Sequence, residues 1–417
     1  MKLTIAGASV YGLNNTSDDS MLQSFLGGMR SAVPDLEVTL VCRHPGTEVE
    51  KMFGVQSIQN LDFPTKAESA NKRFHGFNIG DTTDHLRTLY REIEGSTALM
   101  IGGDPFDDSN SDMIQQPFRG IMPYVVNLIT LAKYLQKKII LHGVHLGRPP
   151  TSAYGTALTQ FCLDNADLVT TREDATKQEL CDTYGAPPDR IVTSADSGFA
   201  LLSYTKPAPS PQLQKLFADH GLEAKKYIVV TIRSYYWLWD ADTTIAYAKK
   251  FADYLDRLAL ACHCPIVLVP HCAYELDAHW ESDINFQHEI YQQSKKKEAL
   301  VPVSFYLTSE DLLYCIEHAR YVISNRRHSG IYAALLATPF YLFGERKHVG
   351  AVYDSLGLSS EQFVEVSSLD TLFSERTLRT VLDTLMAWDV EGTRSAALAQ
   401  AKKCRYATEA VSALLES

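Results

Sequence analysis

Short apolar, β-branched runs recur along the chain, separated by longer stretches whose apolar positions return every three or four residues. That alternation of periods predicts strands feeding amphipathic helices. In the first half, strand patterns fall at 3–6, 36–42, 98–101, 138–142, 168–170 and 191–193. Helical patterns fall between them at 18–33, 83–94, 119–135, 153–163 and 174–184, the first opened by Ser17 or Asp18 as N-cap. Residues 205–211 then place Pro207, Pro209 and Pro211 at alternate positions, which predicts a stiff, extended connector. Beyond it the pattern restarts. Strands are predicted at 227–232, 265–269, 300–303, 321–323 and 340–343, helices at 241–261, 310–318 and 331–336, and a mostly helical tail from 370. The fold class read from this is α/β, with two Rossmann-like domains of parallel strands facing across a cleft. Their expected bounds are 1–204 and 213–417, with a Pro-rich linker at 205–212.

In such sheets ligands bind beyond the carboxyl ends of the strands, so chemistry is sought in the loops that follow them. After the first strand comes Gly7-Ala8-Ser9-Val10-Tyr11-Gly12-Leu13-Asn14-Asn15, which lacks full GxGxxG spacing. Gly12, Asn15 and the following Asp18 are its candidate ligand-loop positions. Gly102-Gly103-Asp104 ends another strand, and Asp104 can serve there as a general base or simply cap a turn. In Thr171-Arg172-Glu173-Asp174 the helix dipole accounts for the two acids but not for Arg172. Asp196 follows a further strand just before the connector.

The second half ends its first strand on Arg233 and another on Val269-Pro270-His271, with Asp277 downstream. The densest run is Ser324-Asn325-Arg326-Arg327-His328-Ser329-Gly330, placed directly before a predicted helix. Cationic side chains there add to a helix N-terminus, an arrangement suited to a phosphorylated or carboxylated ligand. The competing reading is a basic surface patch. Lys347 follows the next strand.

Composition narrows the classes. The 39 basic against 50 acidic side chains leave a formal charge of −11, which argues against nucleic acid or an anionic membrane as partner. Eight thinly spread cysteines without a CxxC framework read as a reduced, cytoplasmic chain. Cys262, His263, Cys264, His271 and Cys272 lie close in sequence, but CxC lacks zinc-site spacing, and a strand with its exit loop is the preferred reading. The start of the chain has no signal-peptide pattern, and the most apolar stretch, 121–135, is interrupted by Asn127 and Lys133 and falls short of a membrane span.

In this order the pieces resemble the polysaccharide pyruvyl transferase family. The most specific is Ser324-x-Arg326-x-His328, followed by Ala337-Thr338-Pro339 and a strand leading to Lys347. Arg327 falls at its variable position. The family's N-x-G-D-E-like run stands here as Asn15-Thr16-Ser17-Asp18-Asp19, with Ser17 in place of glycine. Gly102-Gly103 lacks a third glycine, and Glu173-Asp174 reverses the usual order.

The resemblance implies a GT-B-like fold and transfer of a pyruvyl group from phosphoenolpyruvate to two hydroxyls of one sugar. The products would be a cyclic ketal and phosphate, in cell-surface polysaccharide or glycan biosynthesis. Arg233, Arg326 and Lys347, with Arg172 as a fourth, would hold phosphoenolpyruvate; His328 and Asp104 would serve as acid and base; Gly12, Asn15, Asp18, Gly102 and Gly103 would belong to acceptor or loop positions. No metal and no cofactor beyond this co-substrate are expected. The acceptor sugar could be lipid-linked or a polymer repeat unit, which would bring the cytoplasmic protein to the inner membrane face; a homo-oligomer is compatible. The alternatives are a nucleotide-sugar glycosyltransferase on the same fold, and a sugar-binding or scaffold protein without catalysis that has kept the fold.

Overall fold

The computed structural model describes residues 1–7, 11–60, 83–108, 121–147, 149–273, 279–359 and 363–417. Asp277, residues 8–10 of the first loop and the start of the helix expected at 119 lie outside them. The strands are β1 (Lys2–Gly7), β2 (Glu37–Cys42), β3 (Gln56–Gln59), β4 (Ala98–Gly102), β5 (Lys138–Val144), β6 (Leu168–Thr171) and β7 (Ile191–Thr193), then β8 (Ile228–Thr231), β9 (Ile266–Leu268), β10 (Leu300–Pro302), β11 (Tyr321–Ser324), β12 (Phe340–Gly344) and β13 (Val364–Glu365). The α-helices are α1 (Thr16–Ala32), α2 (Thr47–Phe53), α3 (Thr83–Gly95), α4 (Ile121–Tyr134), α5 (Ala153–Asn165), α6 (Asp174–Tyr184) and α7 (Pro211–Asp219), then α8 (Ala241–Cys262), α9 (Asp283–Gln293), α10 (Ser309–His318), α11 (Arg327–Leu335), α12 (Ala351–Leu356), α13 (Glu375–Met386) and α14 (Val390–Glu416).

All pairings within the two sheets are parallel. The first has the order β3-β2-β1-β4-β5-β6-β7 and the second β10-β9-β8-β11-β12-β13. The order reverses between β1 and β4, and again between β8 and β11, so each sheet has a switch point where doubly wound folds bind ligands.

The chain divides into two compact units that are not simple halves. The first holds Met1–Leu13, Met21–Ala200 and Ala401–Ser417; the second holds Asn14–Ser20 and Leu201–Gln400. Two short segments therefore depart from the bounds read in sequence. The opening turn of α1 belongs with the second unit and the end of α14 with the first, because their contacts are made there. Hydrophobic patterning cannot report this: an amphipathic face says that it will be covered, not by what.

In the first unit the strands are buried on both faces, as a parallel sheet requires. Along β4, Ala98 and Met100 join Leu22, Phe25, Met29 and Val411 on one face, while Leu99 and Ile101 join Leu128, Ile129 and Leu163 on the other. In the second unit β8 sends Ile228 and Val230 into a core with Phe251, Leu255, Phe286 and Phe343. The edge strands β3 and β13 and the helix α9 have no counterpart in the pattern-based reading. β3 is half-buried Gln-Ser-Ile-Gln and β13 two residues, too polar or too short for a period to register.

One backbone constraint near the second switch point is exacting. Gly344, the last residue of β12, has φ +132°, and a Cβ there would lie 2.5 Å from Tyr235 Oη. Gly344→Ala is expected to destabilise the chain by about 1–3 kcal/mol, through both backbone strain and overpacking. Urea denaturation of the variant beside the parent checks this.

Candidate active site

In the second unit the site is built from strand ends. Thr231 closes β8 and Ser324 closes β11, and their hydroxyls hydrogen-bond each other; Thr231 Oγ1 also pairs with Ser329 Oγ at 2.8 Å. Ser324 Oγ accepts from the backbone N–H of Arg326 at 2.8 Å, a local turn that leaves Arg326 as the N-cap of α11. The helix starts earlier than its apolar period indicates, so Arg327 and His328 lie in its first turn. Neither forms a surface patch: Arg327 is 2% exposed and His328 6%. The basic-patch reading is thereby excluded.

Asn325 holds Arg233 from both sides of its peptide. Its Oδ1 accepts from Arg233 N at 2.9 Å and its Nδ2 donates to Arg233 O at 3.0 Å. The Arg233 guanidinium lies 4.1 Å over the ring of Trp237. Burial lowers its pKa, and the positive charge of Arg326 lowers it further. Two arginines thus bear on each other at the β8–β11 switch point.

Asp283, the first residue of α9 and 1% exposed, organises this corner. Its Oδ2 accepts from the backbone N–H of His271 at 2.9 Å and of Cys272 at 3.0 Å. The same carboxylate takes Arg326 in a two-pronged ion pair, Nε at 3.1 Å to Oδ2 and Nη2 to Oδ1. Arg326 is therefore aimed by a carboxylate, a partner that the sequence analysis did not name. His271 is bracketed by Ser17 Oγ on Nδ1 and Ser329 Oγ on Nε2, both at 2.7 Å. Burial, with Arg326 and His328 adding to it, pushes its pKa well below the usual histidine range. A neutral ring carries one N–H, so it donates to one serine and accepts from the other.

Asn15 and Asp18 are placed by this same corner. Asn15 forms an antiparallel bridge with Cys272, and Thr16 N donates to His271 O at 2.9 Å. Asn15 Oδ1 accepts from the backbone N–H groups of Ser17 (3.2 Å) and Asp18 (3.4 Å), so it, rather than Ser17 or Asp18, caps α1. Lys347 sits exposed on the turn Arg346–Gly350 after β12.

Gly12, Gly102, Gly103, Asp104 and Arg172 belong to the first unit. A Cβ on Gly102 would lie 2.6 Å from Tyr11 Oη, so this glycine makes room for the chain's own tyrosine. Half-buried Asp104 follows Gly103; its Oδ1 is buried with no hydrogen-bond partner among the described residues. Arg172 donates from Nε to Gly143 O at 2.8 Å and lies 3.4 Å from Asp196, an ion pair 8% and 0% exposed. A cavity of about 460 Å³, its open mouth included, runs along Gly103, His142, Gly143, Thr170 and Arg172. Thr170 Oγ1 meets His142 Nδ1 at 3.0 Å. His145, not singled out in sequence, pairs with Glu173 at 3.1 Å.

The histidine and cysteine neighbours of β9 divide between its ends: Cys262 and Cys264 precede the strand, His271 and Cys272 follow it. Among the described residues no three such side chains converge as a metal site. Asp283, Asn325 and Ser17 carry the corner yet were not selected from sequence. The nearest signal for Asp283 was Ser282-Asp283 opening a helix, which predicts a cap and nothing more.

Two predictions follow from this geometry. Asp283→Asn keeps an oxygen for the two backbone donors but leaves Arg326 without its carboxylate, and should cost about 3–5 kcal/mol of stability by denaturant titration. The second concerns acid. Burial, aided by the charge of Arg172 and opposed by Asp196, brings the His142 pKa down to about 4. An unfolded histidine titrates near pH ~6.5, so the stability contributed by neutral His142 is complete above that and lost as pH falls toward about 4. His142→Asn should remove roughly 1–3 kcal/mol of that acid dependence, read as melting temperature against pH.

The polysaccharide pyruvyl transferase family model matches residues 18–346. No curated protein matches the chain. Among solved structures, the UDP-GlcNAc 2-epimerase of Methanocaldococcus jannaschii is 10% identical with a TM-score of 0.59, each chain covered over 100%. That of Neisseria meningitidis bound to UDP-GlcNAc is 12% identical with a TM-score of 0.57, again 100% of each. A glycosyltransferase from Rickettsia africae is 10% identical with a TM-score of 0.53, covering 100% of this chain and 95% of its own. These likenesses show the fold, which is GT-B-like. No helix among the described residues is long and apolar enough to cross a membrane. With the family match spanning most of its length, the chain belongs to the polysaccharide pyruvyl transferases and is a transferase.

Proposed function

We propose that the chain moves a pyruvyl group from phosphoenolpyruvate to two hydroxyls of a sugar, closing a cyclic ketal and releasing phosphate. The observation that carries this reading is the pair Arg233 and Arg326, two cations bearing on each other at the β8–β11 switch point beside the first turn of α11. Like charges converging in a half-buried place are relieved by an anion, and a phosphate with an adjacent carboxylate offers one group to each.

In this reading His328 gives a proton to the methylene carbon, which raises positive character on the neighbouring carbon. A sugar hydroxyl attacks there, phosphate leaves, and the second hydroxyl closes the ketal. Arg233 and Arg326 stabilise the departing phosphate, with Lys347 on the turn after β12 as a third donor. Arg172 is carried in the first unit by its partners Asp196 and Gly143. Asp104 is the proposed base for the acceptor hydroxyl, supported by its buried Oδ1; Gly12, Gly103, Asn15 and Asp18 are proposed as loop positions. The sugar acceptor, whether lipid-linked or part of a polymer, a cytoplasmic setting, and independence from metals and further cofactors belong to the same proposal.

Phosphoenolpyruvate should raise the melting temperature in a concentration-dependent way, and UDP-GlcNAc should raise it less. Arg233→Lys keeps the charge but loses the planar fork, so calorimetric titration should show roughly tenfold or more weakening for phosphoenolpyruvate. Arg327→Lys, at a residue only 2% exposed, should lower stability while leaving affinity close to that of the parent. A shift with UDP-GlcNAc alone would replace this reading by a glycosyltransferase.

A further inference from the structure

The open cavity at the carboxyl ends of β4, β5 and β6 lies wholly in the first unit and is built around an irregular stretch of β5. Leu141 pairs with Val169 and Val144 with Thr171, so His142 and Gly143 together stand against the single residue Thr170. That is a β-bulge. Leu141 and Val144 enter the same core although three residues apart, which an unbroken strand with its period of two does not allow. Gly143 takes the left-handed φ of 65° at the bulge, a conformation that suits glycine. Its N–H donates to Thr170 Oγ1 at 2.9 Å, and its carbonyl accepts from Arg172 Nε at 2.8 Å. Bulges beside active sites re-aim side chains, and here His142 and Arg172 both line the cavity.

The hydrogen bonds fix what these two side chains can offer. Thr170 is fully buried, and its oxygen already accepts from Gly143. Its own hydrogen goes to its other partner among the described residues, His142 Nδ1, 3.0 Å away. Burial keeps the His142 ring neutral at pH 7, so its single proton is on Nε2. Arg172 uses Nε on Gly143 and Nη1 on Asp196, which leaves Nη2. The Arg172 charge is offset by Asp196, whose side chain is 0% exposed. Leu22, Phe25 and Met100 form an apolar wall, with the Phe25 ring 4.3 Å from that of His142. An added charge would lose its water here without gaining a counter-ion, whereas a neutral oxygen accepts from both donors.

We infer that this cavity is a subsite for the hydroxyl-bearing edge of a neutral sugar, with His142 Nε2–H and the Arg172 Nη2 group donating to its oxygens. Thr170 is the positioning residue that sets the His142 tautomer, and Gly143 the one that aims Arg172. The inference deepens the proposed function and rests on it in one respect, that the acceptor is a sugar. It assigns Arg172 to that acceptor and not to phosphoenolpyruvate. Gly103 also lines the cavity, and the next residue is Asp104, so a sugar anchored here lies beside the proposed base.

The test is nitrogen NMR of the full chain, isotope-labelled at histidine and held at pH 7. It is titrated with the methyl glycosides of glucose, galactose and mannose and, separately, with glucuronate and glucose 1-phosphate. The His142 signals are those lost in His142→Gln. The expected result is a proton on Nε2 and an Nε2 shift that saturates with at least one neutral glycoside. Arg172→Lys keeps a charge for Asp196 but loses Nη2, and should weaken that glycoside roughly tenfold while phosphoenolpyruvate affinity stays that of the parent. His142→Phe keeps a ring against Phe25 without the donor and should lose glycoside binding; His142→Gln keeps an N–H and should retain most of it. Both are read by saturation transfer from protein to glycoside. The inference is overturned if the His142 proton is on Nδ1, if no neutral glycoside moves the Nε2 signal, or if only the anionic sugars do. It is equally overturned if Arg172→Lys binds the glycoside like the parent, or weakens phosphoenolpyruvate as much as the glycoside. The first three outcomes are read on the parent chain and need no variant to fold. A glycoside response without any phosphoenolpyruvate-dependent rise in melting temperature would remove the transferase reading and leave this subsite standing. The reverse pattern would remove the subsite alone.

Discussion

Arg233 and Arg326 have to coexist at the meeting of β8 and β11, and much of the second unit's switch point is arranged to make that possible. The β8–β11 register sets the ends of the two strands side by side. Asn325 fixes the Arg233 peptide, Trp237 lies under its guanidinium, and Asp283 holds Arg326 by two prongs. Each of these contacts lowers the cost of keeping like charges close in a place where water cannot fully screen them. Arginines held in this way keep little rotamer freedom.

The polar groups around them form one connected system. Thr231, Ser324 and Ser329 share hydrogen bonds, Ser329 continues to His271, and His271 continues to Ser17. Gln287 donates to the carbonyls of Ile232 and Val269, tying the exits of β8 and β9. Buried polar networks stabilise only when their members are satisfied, and the neutrality of His271 is part of that satisfaction. Protonating it would place a second positive charge beside Arg326 and turn the acceptor nitrogen toward a serine as a second donor. The first unit repeats the theme around His142, where a neutral ring sits beside the Arg172–Asp196 pair.

The α/β class, most strands and the restart after the proline-rich segment are legible in the sequence, because parallel strands buried on both faces leave unbroken apolar runs. So is the concentration of charge at Ser324-x-Arg326-x-His328 directly before a helix. What the pattern misread was local. It opened α11 at the apolar period, four residues late, since the first turn holds Arg327 and His328, buried although polar. It passed over Asp283 because α9, the helix that Asp283 opens, was itself absent from the reading.

Sequence by itself therefore determined most of the segments that become strands and helices, the family they compose and the cationic residue types gathered at the strand ends. These follow from periodicity and from charge, properties each segment carries alone. Only the tertiary structure decided that Asn15 and Ser17 work with His271, that Arg326 is aimed by Asp283, and that Asp104 and Arg172 belong to a different unit from Arg233. Those are pairings between residues far apart in the chain. They depend on strand order and register, and a carboxylate has the same sequence signature whether it caps its own helix or holds an arginine on another.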